Sequence, residues 1–89
     1  MIRMVSNPER KQIYSDNLAE MSIFVTEFVA KEGFDTWMNT DWIKPVNKNG
    51  KMFYYIDLYG KYYDRVSDGF VSKINALLKI KEVRSDISK

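Results

Sequence analysis

Apolar residues near the start of the chain recur with the period of an amphipathic helix. Tyr14, Leu18, Met21, Val25 and Phe28 follow one another in alternating steps of four and three residues. Residues 6 to 9, Ser-Asn-Pro-Glu, match a helix start, because the serine can cap and the glutamate follows three residues later. The pattern therefore predicts a long N-terminal helix that ends at Gly33. Residues 15 to 17 are an alternative start, because Ser, Asp and Asn are weak helix formers.

The middle of the chain combines a turn signal with strand-forming residues. Residues 47 to 50, Asn-Lys-Asn-Gly, favour a tight turn because Asn and Gly tolerate positive φ. Residues 42 to 46 before the turn predict a short strand, which Pro45 restricts to a sheet edge. Residues 51 to 58 after it are rich in β-preferring side chains, and Gly60 ends the run. We therefore predict an antiparallel hairpin.

The second half of the chain also fits one long helix from Met52, since its apolar residues are again spaced by threes and fours. The two glycines at 60 and 69, the aromatic run and the upstream turn favour strands through Val66 instead. Beyond this point Ser67 is a good cap, and an apolar stripe predicts a helix over residues 67 to 81, with a frayed tail over 85 to 89.

These elements predict a single α+β domain of 89 residues. The long N-terminal helix and the C-terminal amphipathic helix would pack on a small antiparallel β-hairpin or a three-stranded sheet. An all-α helical bundle is the alternative.

Composition narrows the possible chemistry. The chain has no cysteine and no histidine, which removes thiol chemistry and the commonest general base and metal ligand. No nucleophile-elbow or phosphate-loop motif occurs, and the only crowded acids are Asp57, Asp64 and Asp68 near Lys61. We expect no enzyme, no metal and no cofactor. With no secretory signal and no apolar run of membrane-spanning length, we expect a cytoplasmic protein, including one released into a host cytoplasm.

Charge is distributed unevenly along the chain. Residues 12 to 43 hold six acids and one lysine, whereas residues 44 to 89 hold ten basic groups and five acids. An acidic and a basic region can steer charged partners, or they can face each other within the fold. Self-association, with the acidic helix of one copy on the basic half of another, is a further possibility.

The segment 51 to 65, KMFYYIDLYGKYYDR, carries six aromatic residues in fifteen. As a strand it would turn Phe53, Tyr55, Asp57 and Tyr59 to one side, and the apolar set at 52, 54, 56 and 58 to the core. Rings with apolar bodies and polar tips suit a contact surface. The alternative is that the helices cover both faces.

Two functions fit such a surface. The first is a non-enzymatic protein-binding module, of the size and composition of phage or mobile-element inhibitors that occlude a host factor. Its contact residues would be Tyr55, Tyr59, Trp42, Ile23, Glu20 and Glu27.

The second function is binding of single-stranded nucleic acid. RNA is the expected ligand, and single-stranded DNA is the alternative. Tyrosine rings would stack bases while basic side chains contact phosphates. The residues concerned would be Lys44, Lys48, Lys51, Lys61, Arg65 and Phe53.

Overall fold

The structure is a computed structural model that describes residues 1–33 and 37–87, with side chains described as far as Lys81. Strands and helices follow one another along the chain as β1 (Arg3–Ser6), β2 (Arg10–Ser15), α1 (Leu18–Glu32), β3 (Lys44–Lys48), β4 (Lys51–Tyr59) and α2 (Asp68–Ile87). Short 3₁₀ turns lie at Thr40–Trp42 and Gly60–Tyr62.

The four strands form one antiparallel sheet in the order β1-β2-β4-β3. Each hairpin contributes one central and one edge strand, and the hairpins join where Ile13 of β2 pairs with Ile56 of β4. The predicted α+β class is confirmed, and the all-helical alternative is wrong. The sheet has four strands rather than the predicted two or three.

The extra strands come from the region that was predicted to start a long helix. The long N-terminal helix is wrong in extent, because residues 3 to 15 form the β1–β2 hairpin and the helix begins only at Leu18. The Asn7 side-chain Oδ1 accepts hydrogen bonds from the backbone N–H groups of Glu9 and Arg10, and the Asn7 backbone N–H donates to the Arg10 carbonyl. Asn followed by Pro suits the first two positions of a β-turn as well as it suits a helix start.

The alternative start at residues 15 to 17 is the one the chain uses. Asn17 caps α1 by accepting from the Glu20 backbone N–H at 3.2 Å, and Ser15 Oγ accepts from the Asn17 N–H at 3.1 Å. The helix ends at Gly33, where φ is 101° and a side chain would be strained. A short hairpin therefore precedes a helix of 15 residues.

The second hairpin agrees with the sequence prediction. Asn49 and Gly50 take positive φ values of 55° and 87°, and Asn47 Oδ1 accepts from the Gly50 N–H at 2.9 Å. β3 is an edge strand, which tolerates Pro45 because one side of its backbone pairs with no other strand in the described sheet.

The predicted C-terminal helix is present and starts as expected. Ser67 Oγ accepts from the Phe70 backbone N–H at 3.1 Å, so the cap prediction is confirmed. The helix continues to Ile87, past the predicted end at Lys81. Residues 88 and 89 lie outside the described part of the chain, so the frayed tail over 85 to 89 stays a prediction.

The core lies between the two helices and one face of the sheet. Ile13, Ile56 and Leu58 point from the strands into it and are fully buried. Phe24 and Phe28 of α1 meet Phe70 of α2 edge-on, with ring centroids 5.5 and 5.8 Å apart. This packing fixes which face of the sheet the helices cover.

Residues near the start of the chain are tied to α2. The Asn75 side chain accepts from the Ile2 backbone N–H at 2.8 Å and donates to the Ile2 carbonyl at 2.9 Å. These two hydrogen bonds replace those that a neighbouring strand would make just before β1. The backbone polar groups of Ile2 at this sheet edge are therefore satisfied.

Candidate functional site

The other face of the sheet is turned away from both α-helices, and we call it the open face. The register of the four strands places side chains in rows across it, for example Arg3, Tyr14, Tyr55 and Lys44. The open face comprises the outward side chains of all four strands: Arg3, Val5, Arg10, Gln12, Tyr14, Lys44, Val46, Lys48, Lys51, Phe53, Tyr55, Asp57 and Tyr59.

The predicted division of β4 into two faces is confirmed at Ile56 and Leu58, whereas Met52, also expected in the core, is 40% exposed. Ile56 and Leu58 are 0% exposed and belong to the core, as expected for one side of the strand. Phe53 is half-buried and Tyr59 is 49% exposed on the other side. The helices therefore leave one face of the aromatic strand free.

Three rings form a cluster on the open face. Tyr14 of β2 stacks on Tyr55 of β4, with centroids 4.9 Å apart and an interplanar angle of 21°. Phe53 meets Tyr14 edge-on at 6.2 Å and lies 6.5 Å from Tyr55. The expected exposure of Tyr55 is wrong, since only 7% of it is accessible. The flanking rings enclose it, together with Lys48, whose Nζ donates to the Tyr55 hydroxyl at 2.7 Å. Tyr14 and Phe53 therefore offer the accessible ring surface.

Five basic side chains share the open face with these rings: Arg3, Arg10, Lys44, Lys48 and Lys51. Two ammonium groups lie over rings, Lys48 at 4.9 Å from the Tyr55 centroid and Lys51 at 5.4 Å from that of Phe53. Arg10 Nη1 donates to the Tyr59 hydroxyl at 3.4 Å, and this contact raises the pKa of Arg10. The face thus holds cations close to aromatic surface.

Acidic groups partly compensate this charge. Asp57 lies in the middle of the open face, 3.7 Å from Lys44 Nζ, and accepts a hydrogen bond from Gln12 at 3.0 Å. Asp16 lies at the rim beside Lys51. With both acids counted against the five basic groups, the open face keeps a net charge of +3.

A cavity of about 210 Å³ opens at this rim, lined by residues that include Arg3, Tyr14, Phe53, Lys51 and Asp16. It joins accessible ring surface to two cationic side chains. The Asp16 carboxylate beside Lys51 offsets part of the positive charge of this cavity.

The ion pair at the rim leads to a prediction on pH. Lys51 Nζ lies 3.2 Å from Asp16 Oδ2, and its hydrogen bond and charge hold the pKa of Asp16 below the ordinary value of 3.8. Because the folded-state pKa is depressed, the pair stabilises the fold above pH 3.8 and loses this effect as the pH falls through the folded-state pKa. We expect the Asp16 carboxyl resonance in NMR to titrate below 3.8, and Lys51→Gln to raise its midpoint. An unchanged midpoint in that variant would contradict the ion pair.

The residues predicted for protein contact do not share one surface. Tyr55 and Tyr59 lie on the open face, whereas Ile23, Glu20 and Glu27 lie on α1 in the helical layer. Ile23 is half-buried rather than an exposed anchor. Glu20 pairs with the Met1 amine at 2.7 Å and accepts from Ser15 Oγ at 2.6 Å, so it also has structural contacts.

Glu27 borders a groove between the two helices, with a volume of about 630 Å³. The groove has an apolar floor that includes Phe70, Ile74 and Leu77, and Lys31 and Lys73 lie at its margin. Trp42 packs elsewhere, 5.2 Å from Trp37 and 5.8 Å from Tyr62 at the border of the core. The predicted protein-contact set is therefore divided among three places.

The residues predicted for nucleic acid are brought together more completely. Lys44, Lys48, Lys51 and Phe53 all lie on the open face. Lys61 follows β4 in the 3₁₀ turn and lies over the Tyr62 ring at 5.1 Å, and Arg65 is exposed before α2. Four of the six predicted residues thus share one surface.

Sequence reasoning missed the half of the open face that β1 and β2 supply. Arg3, Arg10, Gln12 and Tyr14 were read as part of, or ahead of, a helix, so their strand alternation was not considered. The signal that could have identified them is the Asn7-Pro8 pair, a turn motif between two short segments of strand length.

Among residues 1–33 and 37–81, whose side chains the structure describes, no three acidic side chains converge to hold a metal ion, so Asp57, Asp64 and Asp68 do not form a joint site. Neither helix, as far as it is described, has the length and apolar content needed to cross a bilayer.

Comparison with protein-family models, curated proteins and solved structures found no match to this chain.

Proposed function

We propose that the open face binds single-stranded nucleic acid. The observation that carries the proposal is the grouping of four aromatic rings, three of which keep accessible surface, and five basic side chains on the one sheet face that the helices leave free. Proteins that bind single strands combine stacking rings with a cationic track for the backbone. A duplex hides the flat faces of its bases, so rings at the centre of the surface favour a single strand.

Two properties of the open face favour nucleic acid over a protein partner. Lysine is depleted in protein interfaces, yet three lysines lie on this face. The residues expected to anchor a protein are distributed over different layers, as described above. A protein-binding module, including an inhibitor of a host factor, is therefore the second candidate, and the cytoplasmic location stays a prediction.

The direct test is fluorescence anisotropy with labelled mixed-sequence single strands of RNA and of DNA across a salt series. We expect binding at 50 mM salt. The logarithm of the affinity should fall linearly with the logarithm of the salt concentration, with a slope of about 0.7 for each phosphate contacted. Absence of binding by the folded protein at that salt would overturn the proposal. Capture of a protein partner that is lost on substituting open-face residues would assign the face to the second candidate instead.

Phe53 supplies a test of stacking. Its ring is half-buried on the open face and is not part of the core, so Phe53→Leu should leave the fold largely unchanged. Loss of one base–ring stack costs about 1–3 kcal/mol, so we expect affinity for single strands to fall about 5- to 150-fold. The anisotropy assay measures this, with circular dichroism to follow folding.

The matched control is Tyr54→Leu, which removes a ring from the same strand on the opposite face. We expect its affinity to stay close to that of the unaltered protein. Equal losses in the two variants would show that the effect comes from general damage to β4 and not from stacking.

A further inference from the structure

A hydrogen-bonded pair of polar side chains lies in the middle of the open face. Gln12 of β2 and Asp57 of β4 are directly opposite in the register, and Gln12 Nε2 donates to Asp57 Oδ1 at 3.0 Å. The Asp57 side chain is 12% exposed, so it is held in place but still reaches the surface. A carboxylate at this position repels phosphates, so its contribution to a nucleic-acid surface has to be of a different kind.

The rows on either side of the pair contain aromatic rings. Tyr14 and Tyr55 form the row before it, and Arg10 and Tyr59 form the row after it. Same-face neighbours along a strand are about 7 Å apart. Tyr55 is enclosed, but Tyr14 is half-buried and Tyr59 is 49% exposed, so a base that stacks on either of these rings lies one row from Gln12 and Asp57.

The contact between Asp57 and Lys44 is a loose one. Lys44 Nζ lies 3.7 Å from Asp57 Oδ2, and the Lys44 side chain is 64% exposed. A phosphate of the bound strand can attract this ammonium group and leave Oδ2 without its cation. Asp57 then has lone pairs on both oxygens for an incoming base, while Gln12 keeps Oδ1 oriented.

We infer that Asp57, oriented by Gln12, selects guanine in the bound strand; this inference rests on the proposed function. A carboxylate accepts two parallel hydrogen bonds only from two adjacent donors, and the Watson–Crick edge of guanine offers N1–H beside the N2 amino group. Uracil places its N3–H between two carbonyl oxygens that the carboxylate repels. Adenine and cytosine each offer one amino donor beside an acceptor. Specific RNA recognition commonly reads this edge of unpaired bases.

The test uses short labelled RNAs of one length that differ only at a central position, which is guanine, adenine, cytosine, uracil or hypoxanthine. A good bidentate contact discriminates by about 10- to 100-fold, so we expect guanine to bind most tightly and uracil least. Hypoxanthine lacks the N2 amino group and should lose most of the guanine advantage. This comparison needs no variant, so it tests the inference even where a substitution disturbs folding.

Asp57→Asn gives a second readout that simple charge attraction does not produce. The amide offers one acceptor in place of two, so the guanine preference should disappear, while the affinity averaged over all five RNAs should rise because one negative charge is gone. The matched control is Asp64→Asn, which makes the same charge change at a residue paired with Lys11 and lying outside the open face. It should keep the preference.

The outcomes distinguish failure of guanine selection from failure of single-strand binding. Equal affinity for all five RNAs, or a preference that survives Asp57→Asn, would overturn the reading of guanine but leave single-strand binding intact. Failure of every RNA to bind would overturn the proposed function, and this inference with it.

Discussion

Replacing Lys44, Lys48 and Lys51 together with glutamine is expected to weaken the binding of single strands. The affinity lost through the substitution should be on the order of 100-fold larger at 0.1 M salt than at 1 M salt. Each phosphate contact on a single strand contributes about 0.7 to the slope of log affinity against log salt, so three lost contacts lower the slope by about 2. Lys44 and Lys48 lie on β3 and Lys51 lies at the start of β4, next to the turn that joins the two strands. Salt-dependent anisotropy measures both the affinity and the slope.

The matched control removes three lysines from α2, namely Lys73, Lys79 and Lys81, which are all exposed. It changes the net charge by the same amount in the helical layer. We expect its slope to stay within about 0.7 of the original, the contribution of one phosphate. If both triple variants lose affinity equally, the protein attracts polyanions through its overall charge and the open face has no special part.

Phe28→Ala is expected to lower the free energy of unfolding by about 3–5 kcal/mol. The Phe28 side chain is 0% exposed and lies between Phe24, Phe70 and Trp37, at centroid distances of 5.3 to 6.5 Å. Alanine would remove the ring that three others pack against. Because the free energy of unfolding of such proteins is only about 5–15 kcal/mol in total, the variant should lose a large share of its stability. Urea unfolding followed by tryptophan fluorescence measures it.

Leu18→Ala on the same helix is the control for this substitution. Leu18 is 49% exposed in the first turn of α1, so its truncation creates no closed cavity. Surface substitutions of this kind change stability by about 0.5 kcal/mol or less. A loss below about 1 kcal/mol for Phe28→Ala would contradict the packing of α1 against α2 described here.

The hairpin and helix of the second half could be predicted because each local signal there disfavours the alternative structure. Asn49 and Gly50 take the positive φ values that a tight turn needs, and Pro45 sits on the edge strand where its missing N–H is harmless. Ser67 caps α2 as expected. At each of these positions the local chemistry permits one structure and disfavours the other.

The first half could not be predicted because its signals serve two structures equally well. An asparagine that accepts the backbone N–H three residues ahead begins a helix at Asn17 and closes a β-turn at Asn7. Only pairing of β2 with β4 decides between them, and that contact is made by residues far apart in the sequence. Tertiary structure therefore determined the local conformation.

The candidate site was recovered only as far as β4 and its turn. Alternation along β4 correctly separated Phe53 and Tyr59 from the core residues. The partner ring Tyr14 was missed with its strand, and so was the burial of Tyr55 that results from their stacking. Two hairpins that are distant in the sequence build the open face. Correct prediction of only one of them could therefore identify only half of its residues.

The order of strands in the sheet has a consequence for biosynthesis. Gln12 and Asp57 are 45 residues apart, so β2 leaves the ribosome well before the strand that completes its pairing. An isolated two-stranded hairpin is marginally stable in water, and a vacant strand edge is prone to wrong pairing. The nascent chain thus carries an incomplete sheet through much of its translation, and chaperone binding at this stage would protect the β2 edge until β4 arrives.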